Sequence, residues 1–131
     1  MPSAPTARPR VLVVDDQCDG AETLGKLLEL LGCDVQWTLS GEEALRVAPD
    51  FRPQLVVLDI QMPGGIDGLE TARQLRAQGW AEKSILVSHS GARDPALAEL
   101  SKQAGCNHHL LKPATADAFR EILQALREAR C

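Results

Sequence analysis

The chain lacks tyrosine altogether and carries only two tryptophans and two phenylalanines in 131 residues. It also lacks a basic excess, because its formal net charge is −4 at pH 7. A surface that binds nucleic acid must neutralise many phosphates, so we expect no nucleic-acid partner. No apolar run approaches the roughly 20 residues that a membrane-spanning helix needs, and we therefore expect no membrane partner either.

The chain is poor in cysteine motifs. Its four cysteines, Cys18, Cys33, Cys106 and Cys131, form no CxxC pair and have no metal-ligand spacing. Isolated cysteines of this kind are typical of reduced thiols in a cytoplasmic protein, and we expect that location. The first nine residues contain three prolines and no apolar segment of the kind that a signal peptide needs. We expect residues 1–9 to be a flexible tail and residues 10–131 to form one domain.

What the sequence does contain is a regular alternation of apolar runs and amphipathic segments. The runs predict strands, and the spacings of three and four between apolar residues predict helices. Pro49 and Pro53 are expected to lie in a loop. The order is (βα)5, and right-handed crossovers then give a doubly wound parallel sheet with helices on both faces. The predicted strands are 10–14, 33–39, 54–59, 85–87 and 107–111, and the predicted helices are 20–31, 40–48, 67–78, 94–105 and 115–128.

Charged residues follow three of the apolar runs directly. Asp15 and Asp16 follow the first strand, Asp59 ends the third, and Lys112 follows the fifth. The carboxyl ends of parallel strands meet at one edge of the sheet, where open α/β sheets bind ligands. Three carboxylates there repel one another, which calls for a hard cation. Asp59, between the other two groups, is the natural covalent centre.

Each of these signals has an ordinary structural explanation when taken alone. Two adjacent aspartates after a strand can be loop carboxylates or can cap the next helix. A lysine before a proline, as at Lys112-Pro113, can simply be solvated. The three signals together, each at the end of its own odd-numbered strand, are hard to explain as chance.

The chain resembles the receiver domain of two-component response regulators, the CheY-like family. The resemblance covers about residues 10–129 and rests on VLVVDD, LVVLDIQMPGG-IDG and LLKP in the order of that family. It implies the flavodoxin-like fold with strand order 2-1-3-4-5. One departure is visible, because the loop at residues 63–68 is one residue longer than the usual PGMDG of the family.

The resemblance also implies roles for five residues. Asp59 matches the aspartate that takes a phosphoryl group from a histidine kinase. Asp16 and Asp15 match the acidic pair that binds Mg²⁺, with Asp16 as the direct ligand, and Gln61 matches the position whose backbone carbonyl also binds the ion. Lys112 matches the lysine that contacts the phosphoryl oxygens.

The switch hydroxyl of the family has two candidates here. Ser90 lies 22 residues before Lys112 and is followed by the small residue Gly91, which favours it. Ser88 follows the apolar run more directly but would need a longer loop after it. The aromatic switch position, three residues before the lysine, is occupied by His109.

The resemblance implies a signalling module rather than an enzyme, apart from catalysis of its own phosphorylation and slow dephosphorylation. Its partners would be a histidine kinase or phosphotransfer protein, and a downstream protein bound by the face of the fourth helix, fifth strand and fifth helix. We expect a single-domain regulator without its own output domain. The alternative is a receiver detached from a hybrid histidine kinase.

Two other classes share parts of this pattern. Haloacid-dehalogenase-like phosphatases need a second acid two residues after the nucleophile, but Gln61 follows Asp59 and Gln17 follows Asp15 at that spacing. A flavin-binding module needs a phosphate-binding loop rich in Ser, Thr or Gly after the first strand. Asp15 and Asp16 would repel that phosphate, so the sequence disfavours both classes.

Overall fold

The structure is a computed structural model that describes residues 8–91 and 94–129. Strands and helices alternate throughout, with a short 3₁₀ helix, Trp80–Lys83, before the fourth strand. The elements in chain order are β1 (Arg10–Val14), α1 (Cys18–Leu30), β2 (Asp34–Thr38), α2 (Gly41–Phe51), β3 (Leu55–Asp59), α3 (Gly68–Ala77), β4 (Ile85–Ser90), α4 (Pro95–Gln103), β5 (His108–Leu111) and α5 (Ala116–Ala129).

The five strands form one parallel sheet in the order β2-β1-β3-β4-β5, which confirms the predicted fold. The register pairs Val14 with Leu58 and Asp59 with His89. The residues that follow β1, β3 and β5 therefore lie at the same carboxyl edge of the sheet, as the sequence predicted.

The core lies on both faces of the sheet. Along β1 and β3 every residue except Arg10 is buried, because helices cover both faces of these central strands. Alternate residues of the strands contribute to the two sides. On one face the strands pack against α1 and α5, and on the other against α2, α3 and α4.

The predicted loop from Pro49 to Pro53 is wrong, because α2 continues through Pro49 to Phe51. Proline removes the amide that would bond to the carbonyl four residues earlier. That carbonyl belongs to Leu45, and it accepts a hydrogen bond from Nε2 of Gln78 at 3.1 Å instead. The helix ends at Arg52, whose φ of 49° is left-handed.

Strand β4 is longer than the predicted 85–87 and runs to Ser90. Its last three residues, Ser88, His89 and Ser90, are polar but buried. A polar run after an apolar one is typical of a loop, so the sequence pattern ended the strand too early.

Residues 1–7 of the predicted tail, and Cys131, lie outside the described residues. The last two tail positions are hydrogen-bonded to the segment that enters β2. The carbonyl of Pro9 accepts from the amide of Asp34 at 2.9 Å, and Nη2 of Arg8 donates to the carbonyl of Cys33 at 3.0 Å. Across residues 8–91 and 94–129, we find no helix with the length and apolar character needed to cross a bilayer.

Candidate functional site

Three carboxylates converge at the carboxyl edge of the sheet. Asp15 and Asp16 follow β1, and Asp59 ends the adjacent β3. One oxygen from each lies within 4.8 Å of the others. Asp15 and Asp59 are buried, with 5% and 6% of their surfaces exposed, whereas Asp16 is half-buried. The sequence prediction that these groups meet is therefore confirmed.

Two of the carboxylates are fixed by the backbone that follows them. Oδ1 of Asp15 accepts from the amide of Gln17 at 2.9 Å, and Oδ1 of Asp59 accepts from the amide of Gln61 at 3.2 Å. Bonds from an aspartate to the amide two residues later are a common turn device. A Cβ at Gly68 would lie 2.2 Å from the carbonyl oxygen of Asp59, so only glycine allows α3 to begin this close to the site.

Lys112 provides the cation of the site. Its Nζ lies 3.2 Å from Oδ2 of Asp59 and 3.4 Å from Oδ2 of Asp15. The backbone amide of Lys112 donates to the carbonyl of Ser90 at 2.8 Å, which holds the start of the following loop against the end of β4. Lys112 and Asp59 thus form an ion pair at the centre of the site.

The electrostatic balance of the site favours a bound cation. Burial raises the pKa of Asp59 above its usual range, and the neighbouring Asp15 raises it further, while Lys112 and the amide of Gln61 lower it. Among the described residues, the ammonium of Lys112 pairs with two of the three carboxylates. Clustered carboxylate oxygens are the ligands that Mg²⁺ uses in proteins, so Asp15, Asp16 and Asp59 fit a magnesium ion by their chemistry.

The two serines considered for the switch occupy different places on β4. Ser90 is fully buried at the end of the strand, one residue past the pair formed by Asp59 and His89. Ser88 lies two residues deeper, opposite His109 in the register. Its Oγ is 2.8 Å from Nδ1 of His109. His109 is half-buried, and burial lowers the pKa of its imidazole.

His89 lies at this site, although the sequence pattern assigned no role to this histidine between Ser88 and Ser90. It is buried directly opposite Asp59, and its ring lies edge-on to Phe119 with centroids 6.3 Å apart. Its Nε2 has no hydrogen-bond partner among the residues that the structure describes. Burial, with the nearby Lys112, lowers the pKa of His89 to about 4. The signal in the sequence that could have pointed to His89 is that a histidine continues the pattern of a buried strand.

A cleft of about 380 Å³ opens beside Lys112. One wall is a partly exposed side of α1, and the other is the loop that follows β5. His89 and Asp15 border its floor. Of the three carboxylates of the site, Asp15 lines this cleft. It is lined by Asp15, Asp19, Gly20, Thr23, Leu24, Leu27, His89, Lys112, Pro113 and Ala114.

Comparison with known sequences gives one family. The family model of the response regulator receiver domain matches residues 11–124. The transcriptional regulatory protein PrrA of Mycobacterium leprae is 40% identical over 105 residues, which are 80% of this chain and 44% of PrrA. The response regulator MprA of Mycolicibacterium vanbaalenii is 36% identical over 118 residues, 90% of this chain and 48% of MprA. The chain thus spans less than half the length of these curated relatives.

Solved structures give the same result. A chemotaxis protein CheY4 of Vibrio cholerae matches with a TM-score of 0.84 and 25% identity, over 92% of this chain and 99% of that one. The signal receiver domain of a modulated diguanylate cyclase from Desulfovibrio desulfuricans G20 matches with a TM-score of 0.79 and 36% identity, over 95% and 98%.

Proposed function

The chain belongs to the response regulator receiver domain family of two-component signalling, and we propose that it is a switch that is phosphorylated on Asp59. The phosphodonor is a histidine kinase or a phosphotransfer protein. The observation that carries the proposal is the position of the Asp59 carboxylate. It is buried at the centre of the site, with the oxygens of Asp15 and Asp16 within 4.8 Å and the ammonium of Lys112 at 3.2 Å.

In the transfer step, a carboxylate oxygen of Asp59 forms a bond to phosphorus. The bond from phosphorus to the imidazole nitrogen of the donor breaks and its electron pair stays on that nitrogen, and because the other ring nitrogen of the phosphohistidine carries a proton, the imidazole leaves neutral. The transfer needs mainly positioning and charge neutralisation. A bound Mg²⁺ supplies positive charge to the phosphoryl oxygens.

The other residues of the site hold the ion and the phosphoryl group. Asp16 is the proposed direct ligand of Mg²⁺, together with Asp59 and the backbone carbonyl of Gln61, and Asp15 supports it. Lys112 already lies within 3.4 Å of two carboxylates. Its ammonium would follow the new negative charge onto the phosphoryl oxygens, because a lysine is a flexible point charge.

The signal would pass from the site to a protein partner. A phosphoryl group adds negative charge and strong acceptors, which can draw a nearby hydroxyl inward. Ser90, at the edge of the sheet beside Asp59, is the proposed hydroxyl. The proposed partner surface is the face formed by α4, β5 and α5, and the proposed location is the cytoplasm.

The stand-alone status predicted from the sequence stays a prediction, because the chain spans less than half the length of its curated relatives. PrrA is named a transcriptional regulatory protein. If this chain continues into an output domain, the same face would transmit the signal within one protein. The expectation of no nucleic-acid partner concerns the receiver domain only.

The test is the mass of the intact chain after incubation with acetyl phosphate and Mg²⁺. The parent chain should gain one phosphoryl group, and Asp59→Asn should gain none. Asp50→Asn, which changes an exposed aspartate of α2, is the matched control and should label like the parent. Chelation of Mg²⁺ should prevent labelling, and Asp16→Ala should weaken it. Labelling of Asp59→Asn, or an unlabelled parent, would reject the assignment.

A further inference from the structure

Three elements of the fold meet at the hydroxyl of Ser88. Its Oγ lies 2.8 Å from Oγ of Ser101 on α4 and 2.8 Å from Nδ1 of His109 on β5. Ser88 and Ser101 are each 1% exposed. The three side chains therefore link β4, α4 and β5 below the surface. Two of these elements belong to the face proposed for the partner.

The hydroxyl of Ser88 also lies 3.3 Å from the carbonyl oxygen of His108, and its two contacts at 2.8 Å are the shorter ones. A serine hydroxyl has one proton to donate and can accept at its lone pairs, and a neutral imidazole has one donor and one acceptor nitrogen. Ser88 can therefore donate one of its two short bonds and accept the other. A buried hydroxyl that loses its partner keeps the full cost of its desolvation. The cluster is thus more stable with all three members than with any one removed.

Ser88 and Ser90 have different neighbours although they share one face of β4. They are two residues apart, about 7 Å along the strand. The carbonyl of Ser90 bonds to the amide of Lys112 at 2.8 Å, next to the carboxylates. Ser88 instead contacts His109, Ser101 and the carbonyl of His108. One serine thus lies at the proposed phosphorylation site, and the other holds the side chain at the aromatic switch position.

We propose that Ser88 and Ser101 form a latch that holds His109 and ties α4 to β5 in the unphosphorylated chain. Ser88 and Ser101 are positioning residues for His109, whereas the phosphoryl group is sensed at Ser90. The latch is closed in a structure in which Lys112 still bonds to Asp59 and Asp15. It stabilises the resting arrangement of the output face and therefore opposes activation. This inference rests on the proposed function.

The test is the affinity of the intact chain for beryllofluoride with Mg²⁺, measured by NMR titration. A bond made only in the resting state shifts the equilibrium away from the active state by its own free energy. Ser88→Ala should therefore bind beryllofluoride roughly fivefold tighter than the parent. Ser90→Ala should bind more weakly. Opposite changes in beryllofluoride affinity would distinguish the role of Ser88 in the latch from the role of Ser90 as the sensor, although both residues lie on β4.

Two variants of His109 provide the matched comparison. His109→Phe keeps a ring but removes the nitrogen that bonds to Ser88, so it should tighten beryllofluoride binding as Ser88→Ala does. Combining the two changes should give no further gain, because both remove the same bond. His109→Asn places a polar group near the position of Nδ1 and should restore affinity toward that of the parent. Additive gains, or equal affinities for the Phe and Asn variants, would overturn the latch.

The imidazole itself gives a readout that does not depend on phosphorylation. The ¹⁵N shift of Nδ1 in His109 should change in Ser88→Ala, and an unchanged shift would reject the hydrogen bond. If the parent fails to bind beryllofluoride, the proposed function is rejected while the ¹⁵N shift still decides whether the latch exists. If Ser88→Ala does not fold, the beryllofluoride affinities of His109→Phe and His109→Asn decide whether the latch exists.

Discussion

Asp59 and His89 lie opposite one another on β3 and β4, and burial moves their pKa values in opposite directions. The pKa of the Asp59 carboxyl is raised, and the pKa of the His89 imidazole is lowered to about 4. Both shifts favour the neutral form, because a charge is costly away from water. The same edge of the sheet therefore carries two groups with opposite contributions to the dependence of stability on pH.

His89 should make the protein sensitive to acid. In the unfolded chain its pKa is about 6.5, whereas in the folded chain it is about 4. Between these values the unfolded state binds more protons, so the free energy of unfolding falls as the pH is lowered. We expect a loss of up to roughly 2 kcal/mol after allowance for solvent screening.

This contribution is measured by urea unfolding of the parent and of His89→Leu, each at neutral pH and near pH 4. The variant should lose less stability on acidification than the parent. His108→Leu, which changes an exposed histidine of β5, should keep the acid dependence of the parent. Identical pH profiles for the parent and His89→Leu would show that the buried imidazole is not responsible.

Asp59 should contribute to the dependence of stability on pH with the opposite sign. Its folded pKa lies above the unfolded value, so the folded state holds the proton more tightly and the ionised carboxylate costs stability above that folded pKa. Asp59→Asn should therefore raise the melting temperature of the metal-free protein at neutral pH. Lys112 keeps its contact with Asp15 in this variant.

The gain should shrink when Mg²⁺ is added, since the ion stabilises the chain that retains the carboxylate of Asp59 more than the variant that lacks it. Melting curves in chelator and in excess Mg²⁺, with Asp50→Asn as the control, measure both effects. A melting temperature below that of the parent in chelator would mean that Asp59 is net stabilising.

The position of the site could be predicted from the sequence because parallel strands end at the same edge. An apolar run such as Leu55–Leu58 identifies a central strand, and the residue that follows it must lie at the carboxyl edge. Asp59 could be placed on this basis alone. Lys112 followed from the same argument, since β5 also belongs to the parallel sheet.

The end of β4 could not be predicted, because its polar residues find partners far away in sequence. Ser88 is satisfied by Ser101 and His109, which lie 13 and 21 residues later. A local pattern shows the polar residues but not the partners that allow them to be buried. The continuation of α2 through Pro49 could not be predicted for the same reason. The side chain of Gln78 donates the hydrogen bond that the missing amide of Pro49 cannot donate.

Arg76 is a further residue whose role depends on distant partners, and its replacement should be costly. Its guanidinium donates to the carbonyls of Gly105 at 2.8 Å and Ser84 at 2.8 Å, and to Oδ1 of Asn107 at 2.8 Å. It joins the end of α3 to the start of β4 and to the turn before β5. A lysine cannot reproduce this planar set of donors.

Arg76→Lys and Arg76→Ala should both lower the free energy of unfolding, by about 2–3 kcal/mol, because several carbonyls lose their donors. Arg73→Ala, one turn earlier, removes only an exposed ion pair with Glu70 and should change stability by less than about 0.5 kcal/mol. Equilibrium urea unfolding measures all three variants. If Arg76→Lys were as stable as the parent, a single cation at this point would suffice.

Glu42 anchors the loop that contains the additional residue. Its Oε2 accepts from the amide of Ile66 at 3.1 Å, and this bond lowers the pKa of the Glu42 carboxyl. A Cβ at Gly65 would lie 2.8 Å from the same oxygen, so α2 and the loop approach closely here. Gln61, whose backbone carbonyl is the proposed third ligand of Mg²⁺, lies two residues before this loop.

Loss of this anchor should weaken the binding of Mg²⁺ by a few-fold, because the carbonyl of Gln61 would no longer be held in place before the ion binds. Glu42→Ala removes the acceptor, whereas Glu42→Gln removes the charge but keeps an oxygen for the amide of Ile66. Titration calorimetry should therefore give a weaker affinity for the Ala variant than for the Gln variant. Equal weakening would assign the effect to charge alone. Gly65→Ala should weaken the affinity as Glu42→Ala does, since its methyl group would displace the carboxylate from the loop, and parental affinity in both variants would show that the longer loop positions itself without Glu42.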